Sequence, residues 1–230
     1  MKLYLIRHAQ SFNNAVHSAT DRVCDPPLTE LGRRQADVVA AHIQAGRESS
    51  NDHEAFDFTR LICSPMTRAL ETARAISAAV QVPVDIWSDV HETHGIWIDK
   101  QDGKGPRGCA GIKRSRIETE FPGFGIPHDV SEEGWWNRPP ETPEQWRARA
   151  IAVTARIRNE ILPSGNSAAV IIHGWFLIEM LSDLLFDTPP NGALFGSGNT
   201  SITRVTFEER GKVSLDYLNR VDHLPEELKS

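Results

Sequence analysis

Cysteine is scarce in this chain. Its 230 residues contain three, Cys24, Cys63 and Cys109, an odd number at wide spacings. That pattern predicts neither a disulfide framework nor a zinc–cysteine site. Long apolar runs are also missing. Arg7 interrupts the N-terminal one after a few residues, which leaves no signal-peptide core. The longest, Ala168 to Phe186, carries His173, Glu179 and Asp183, and reads as a strand followed by a helix rather than a membrane span. Basic residues are in deficit: 25 Lys and Arg stand against 31 Asp and Glu, a formal net charge of −6. Nucleic-acid binding needs a basic face, so that partner class is not expected. There is no internal repeat and no low-complexity tract. These absences leave a soluble, cytoplasmic protein as the expectation, with no membrane or nucleic-acid partner. A hydrophobic fraction of 40% is enough for a core.

Strand patterns occur at Lys2–Arg7, Arg60–Ser64, Pro83–Ile86, Ala168–His173, Ser201–Phe207 and Val213–Tyr217. Helical patterns lie between them. Thr29–Ala45 opens on a threonine cap, and Thr67–Val80 follows a Ser-Pro start signal. Thr142–Leu162 opens with Pro at the first helical position and Gln145 at the capping-box position. Trp175–Phe186 carries a Leu/Ile/Met stripe that reads as core packing. Alternating strands and helices predict an α/β fold of three layers, a mainly parallel sheet with helices on both faces. Residues 95–140 break the rhythm. They are rich in Gly, Pro and Trp, and read as an insertion over the active end of the sheet within one domain spanning residues 1–230.

Four segments carry chemistry: residues 5–14 (LIRHAQSFNN), 25–36 (DPPLTELGRRQA), 62–73 (ICSPMTRALETA) and 169–175 (AVIIHGW). In the first, third and fourth an apolar strand ends, a polar cluster appears, and a helix or turn begins. In a parallel sheet such ends share one edge, so Arg7, His8, Arg68 and His173 are predicted to meet there. Two arginines and two histidines without a cage of carboxylates make an anion site. Phosphate suits it, because Arg binds phosphate with a fixed fork of donors. Positive surroundings keep an imidazole neutral and nucleophilic through one ring nitrogen, while the other is held, most simply by a backbone carbonyl. Gly174 lets the chain approach a ligand closely.

With those residues in view, the chain resembles the histidine phosphatase superfamily, also called phosphoglycerate mutase-like, from residue 3 to about residue 207. The resemblance implies that His8 is the phosphorylated nucleophile, and that Arg7, Arg68 and His173 form the phosphate pocket. Asn14 matches an asparagine that touches phosphate, and Glu92 matches the proton donor. Pro27-Leu28-Thr29, Gly32 and Gln35-Ala36 match a helix-start signature, and Asn199 to Thr203 looks like the last core strand. Ala9 replaces the usual glycine. The run Val90 to Ile96, Gly134-Trp135-Trp136 and the tail from Tyr217 to Pro225 resemble a less characterised subgroup of phosphatases. No cofactor is implied, and the partner is a small-molecule phosphate ester. The oligomeric state is open, a dimer included.

Competing readings stand beside these. Arg68 could pair with Glu71 or Glu30, and Glu92 could be a solvated loop carboxylate with His91 and His94 as understudies. A metal site from His91, His94 and His173 is opposed by the repulsion of nearby arginines. The basic run Lys100–Arg116 is either a solvated loop or a steering patch for a substrate with a second anion. Trp97, Trp135 and Trp136 read as core of the insertion. A mutase is the alternative enzyme. Trp175-Phe176-Leu177-Ile178, where mutases of the family carry Asn-Ser-Leu-Arg, favours hydrolysis. A non-catalytic module that binds phosphate compounds is the third reading.

Overall fold

The computed structural model describes residues 1–161, 163, 165, 167–186, 195–208 and 211–230. In chain order the main elements are β1 (Lys2–Arg7), α1 (Phe12–Ala15), α2 (Glu30–Gly46), β2 (Arg60–Cys63), α3 (Thr67–Val80) and β3 (Val84–Ile86). They continue with β4 (Trp97–Ile98), β5 (Arg107–Gly108), α4 (Arg114–Glu120), α5 (Pro143–Glu160), β6 (Ala168–Ile172), α6 (Gly174–Leu185), β7 (Ile202–Phe207) and β8 (Val213–Arg220). Leu162, the last residue of the predicted helix Thr142–Leu162, lies outside the described residues. Among the described residues no helix is long and apolar enough to cross a membrane.

The fold is α/β, with a six-stranded sheet in the order β3-β2-β6-β1-β7-β8. The pairs β1–β6, β2–β6 and β2–β3 are parallel, and β1–β7 and β7–β8 antiparallel. Strand alternation divides β1 between two cores. Tyr4 and Ile6 pack with Val39 and Ile43 of α2 and Ala69, Ala73 and Ile76 of α3. Leu3 and Leu5 pack with Val153 and Ile157 of α5 and Phe176 and Met180 of α6. A strand buried on both faces explains why its sequence is apolar without alternation.

The predicted caps form. Thr29 Oγ1 accepts from the Gly32 amide at 2.9 Å, and Thr142 and Gln145 close a capping box on α5. The structure adds α1 and α4, too short to show a period. The insertion serves two places. Ile112, Ile117, Phe121 and Val130 join the core on the α2/α3 side, whereas residues 97–101 reach the open end of the sheet.

Gly32 sets how closely α2 approaches the loop after β1. A Cβ there would collide with the Gln10 carbonyl oxygen. Gly32→Ala is expected to lower unfolding free energy by about 1–3 kcal/mol, the range for overpacking. An unchanged urea midpoint would show instead that the helix retreats without cost.

Candidate active site

β1, β6 and β2 are neighbours and run parallel, so their carboxyl ends share one edge. β1 delivers Arg7 and His8, β6 delivers His173, and the turn after β2 delivers Arg68 in the first turn of α3. The backbone stays bonded through this point. The Arg7 amide donates to Ser201 at 3.1 Å and the His8 amide to Ile172 at 2.9 Å. The rings of His8 and His173 lie 5.0 Å apart between centroids.

The partners of His8 determine its tautomer. Nδ1 lies 2.7 Å from the Ala9 carbonyl oxygen, which can only accept. Arg68 Nε, which can only donate, lies 3.1 Å from Nε2. The proton is therefore on Nδ1 and the lone pair on Nε2. Burial, then Arg68 and Arg7, hold the His8 ring well below the usual histidine range. His173 is fully buried and is pushed the same way by burial and by Arg68. Its Nε2 lies 2.8 Å from Ser64 Oγ, and its Nδ1 has no partner among the described residues. Arg7 donates from Nη1 to the Ser197 carbonyl, while its buried Nε is likewise unpartnered there. A Cβ on Gly174 would stand 3.5 Å from Arg7 Nε, an ordinary contact. Arg68 turns to His8 and not to Glu71 or Glu30. Glu71 accepts from the Leu28 amide and Glu30 pairs with Arg33.

Glu92 reaches the same place from the loop after β3. Its Oε1 accepts from the amides of Thr93 and Phe176, both at 2.9 Å, and its Oε2 from Trp175 at 3.3 Å. It thus sits on the N-terminal turn of α6, where free amides favour a carboxylate. Arg149 clamps the loop. Its guanidinium donates to the carbonyls of Asp89 and His91, both at 2.8 Å, and is held by Glu141 at 2.6 and 2.9 Å. Burial alone would raise the Glu141 carboxyl, but His91 and Arg149 outweigh it and hold it at about 2. Asn14 Oδ1 accepts from the Ser11 amide and hydroxyl, both at 3.0 Å, at the rim of the cavity.

A model of the histidine phosphatase superfamily, branch 1, matches residues 3–220. The chain belongs to that superfamily. No curated protein matches its sequence. Among solved structures, ecdysone phosphate phosphatase from Bombyx mori in complex with tungstate is 15% identical, with a TM-score of 0.66 over 93% of this chain and 91% of that one. Phosphoserine phosphatase from Entamoeba histolytica in complex with 3-phosphoglyceric acid is 22% identical, with a TM-score of 0.62 over 97% and 99%. The mycobacterial glucosyl-3-phosphoglycerate phosphatase is 19% identical, with a TM-score of 0.60 over 96% and 99%. At such identities the likeness is one of fold.

In this histidine phosphatase superfamily member, a cavity of about 460 Å³ is lined by Arg7, His8, Asn14, Arg68 and Glu92. Its outer wall holds groups that the sequence pattern did not single out: Arg22, Trp146, Trp175 and Glu179. Arg22 sits in a non-periodic loop, and Trp146 and Trp175 sit inside helical patterns where a tryptophan reads as packing. Two supports were also hidden. Asp25 accepts from the Thr67 amide and hydroxyl at 3.0 and 2.7 Å, beside Arg68. Asn199 Nδ2 donates to the His8 carbonyl at 3.0 Å. The doublet Asn199-Thr200 before β7 was the available signal, since Thr200 adopts a positive φ of 56°.

Three expectations need correction. Cys24 and Cys109 form a disulfide, with Cα atoms 6.1 Å apart across 85 residues of sequence. A count of three conceals this pair, because Cys63 is buried and free. The bond ties the insertion to the loop carrying Arg22 and Asp25. Trp97 lines the cavity and is not core; Trp136 is buried and Trp135 is partly buried against the same cluster. In the basic run, Arg107 pairs with Asp102, Arg116 with Glu120, and Arg114 with Glu118 and the carbonyls of Val130 and Pro127. None of these arginines lines the cavity. Among the described residues no group of three or more His, Cys, Asp or Glu side chains is gathered as a metal ion would need.

The buried histidines make stability fall with acid. Burial pushes His8, His173 and His91 below the usual range when folded. Burial and His42 push His223 down to about 4. Unfolded, each returns to about 6.5. Between those limits the unfolded chain binds more protons, so stability is complete above about pH 6.5 and is lost as the pH falls towards 4. The melting temperature should drop steadily over that window. A flat profile would mean that the native protein protonates these rings at no cost.

Proposed function

We propose that the protein is a metal-independent phosphomonoesterase acting through a phosphohistidine on His8. The observation that carries this reading is the His8 ring: buried, neutral, with Nδ1 tied to Ala9 and its Nε2 lone pair facing Arg68. In the first step Nε2 forms a bond to phosphorus as the bond from phosphorus to the alcohol oxygen breaks. Glu92 gives that oxygen its proton. In the second step water adds to phosphorus, the N–P bond breaks, and Glu92 takes the proton from water. The products are an alcohol and inorganic phosphate.

The arginines stabilise the equatorial oxygens. A phosphoryl group draws the Arg68 guanidinium from Nε2 and so frees the lone pair for attack. Arg7 Nε and His173 Nδ1 supply two further polar atoms that the protein leaves unpaired. Donors already in place at developing charge are worth about 10²–10³-fold each in rate. Asn14 and Gly174 complete the substrate-binding side of this reading, and the whole chain acts as one domain.

The test is phosphate release from p-nitrophenyl phosphate with a chelator present, followed by quenching in alkali. Turnover should persist. One phosphoryl group per chain, stable to alkali and lost in acid, should remain on the wild-type protein. Activity that the chelator abolishes would overturn the reading.

A further inference from the structure

The walls beside Glu92 bear on what leaves with the alcohol, an inference that rests on the phosphomonoesterase reading. If Glu92 protonates the leaving oxygen, the rest of the alcohol must lie in the cavity next to it. Three tryptophans from three separate elements line that space: Trp97 of β4, Trp146 of α5 and Trp175 of α6. Trp97 and Trp175 are 37% and 59% exposed. Tryptophan is mostly buried on average, so two half-open rings in one cavity are unusual.

Contacts link them into one surface. The Trp175 amide bonds Glu92, so its side chain starts at the proton donor. Glu179 is one helical turn further on the same face of α6 and accepts from Trp146 Nε1 at 3.2 Å. The His94 ring lies 4.4 Å from Trp146 and 6.1 Å from Trp97, between centroids. The result is a run of ring faces leading outward from Glu92. Glu179 is engaged by Trp146 and lies 3.8 Å from Arg147, which reduces its pull on a cationic alcohol. A cavity of about 460 Å³ also has room for much more than a phosphate group.

We propose that the preferred substrates are phosphate monoesters whose alcohol carries a planar aromatic ring, an aryl group or a nucleobase, stacked on this tryptophan wall. Offset stacking on one ring corresponds to about 2- to 10-fold in affinity.

The experiment is calorimetric binding of 1-naphthyl phosphate, adenosine 5′-monophosphate, glycerol 3-phosphate and 3-phosphoglycerate to His8→Ala, which cannot turn them over. It is repeated with Trp175→Ala added, and phosphate release by wild type is measured in parallel. At least one aromatic ester should bind about 10-fold more tightly than glycerol 3-phosphate. Trp175→Ala should remove about 2- to 10-fold of that advantage and leave glycerol 3-phosphate unchanged. The two aromatic arms separate an aryl group from a nucleobase. Equal binding of all four esters, or none, overturns the proposal. So does tightest binding of 3-phosphoglycerate, which would place a second anion against Arg22 instead. Absence of phosphate release with the aromatic preference intact would refute the esterase reading alone.

Discussion

His8→Ala is expected to lower kcat/KM for every phosphate monoester by at least about 10⁴-fold, the scale on which a lost nucleophile is felt. The reasoning starts from the ring's surroundings. Ala9 and Arg68 impose a tautomer with its lone pair on Nε2. Burial and two arginines keep that nitrogen free of a second proton at neutral pH. No neighbour can take over. His173 is tied to Ser64 through Nε2 and is fully buried, behind the residues that line the cavity. The alkali-stable phosphoryl group should vanish in the same variant, while binding of inorganic phosphate persists through Arg7 and Arg68. Retention of one-tenth or more of the activity would show that another group attacks phosphorus.

Glu92→Gln should split according to the leaving group. With alkyl phosphates the alkoxide is a poor leaving group, and loss of its proton donor should cost about 10²–10⁴-fold in kcat/KM. p-Nitrophenolate leaves without a proton, so kcat/KM for its ester should fall less than about 10-fold. The second step still needs a base for water. For the aryl ester, therefore, kcat should drop and the phosphohistidine should accumulate, seen as a burst of p-nitrophenolate. Glutamine is a close match in shape and keeps an oxygen to accept from the Trp175 and Phe176 amides, so the loop should stay in place. A uniform loss across both ester types, without a burst, would mean that Glu92 only supports the loop, and would point to His94 at the cavity wall as the donor.

How much was legible from the chain differs between the floor of the site and its walls. Each floor residue directly follows an apolar strand or opens the helix after one. Burial on both faces writes such strands as short apolar runs, and a parallel sheet brings their ends to one edge whatever their separation in sequence. The sequence by itself therefore determined the α/β fold, the superfamily and the convergence of Arg7, His8, Arg68 and His173. It also determined the α2 and α5 caps, because Thr29 and Thr142-Pro143 act on amides within one turn. The cavity walls follow no such local rule. Trp97, Trp146, Trp175 and Arg22 come from a short strand, two helices and a loop, and nothing in their neighbours along the chain says which surface they face. The same holds for the Cys24–Cys109 bond and for Arg149 gripping the Glu92 loop from α5. Those arrangements depend on distances between segments far apart in sequence, which only the packed tertiary structure sets.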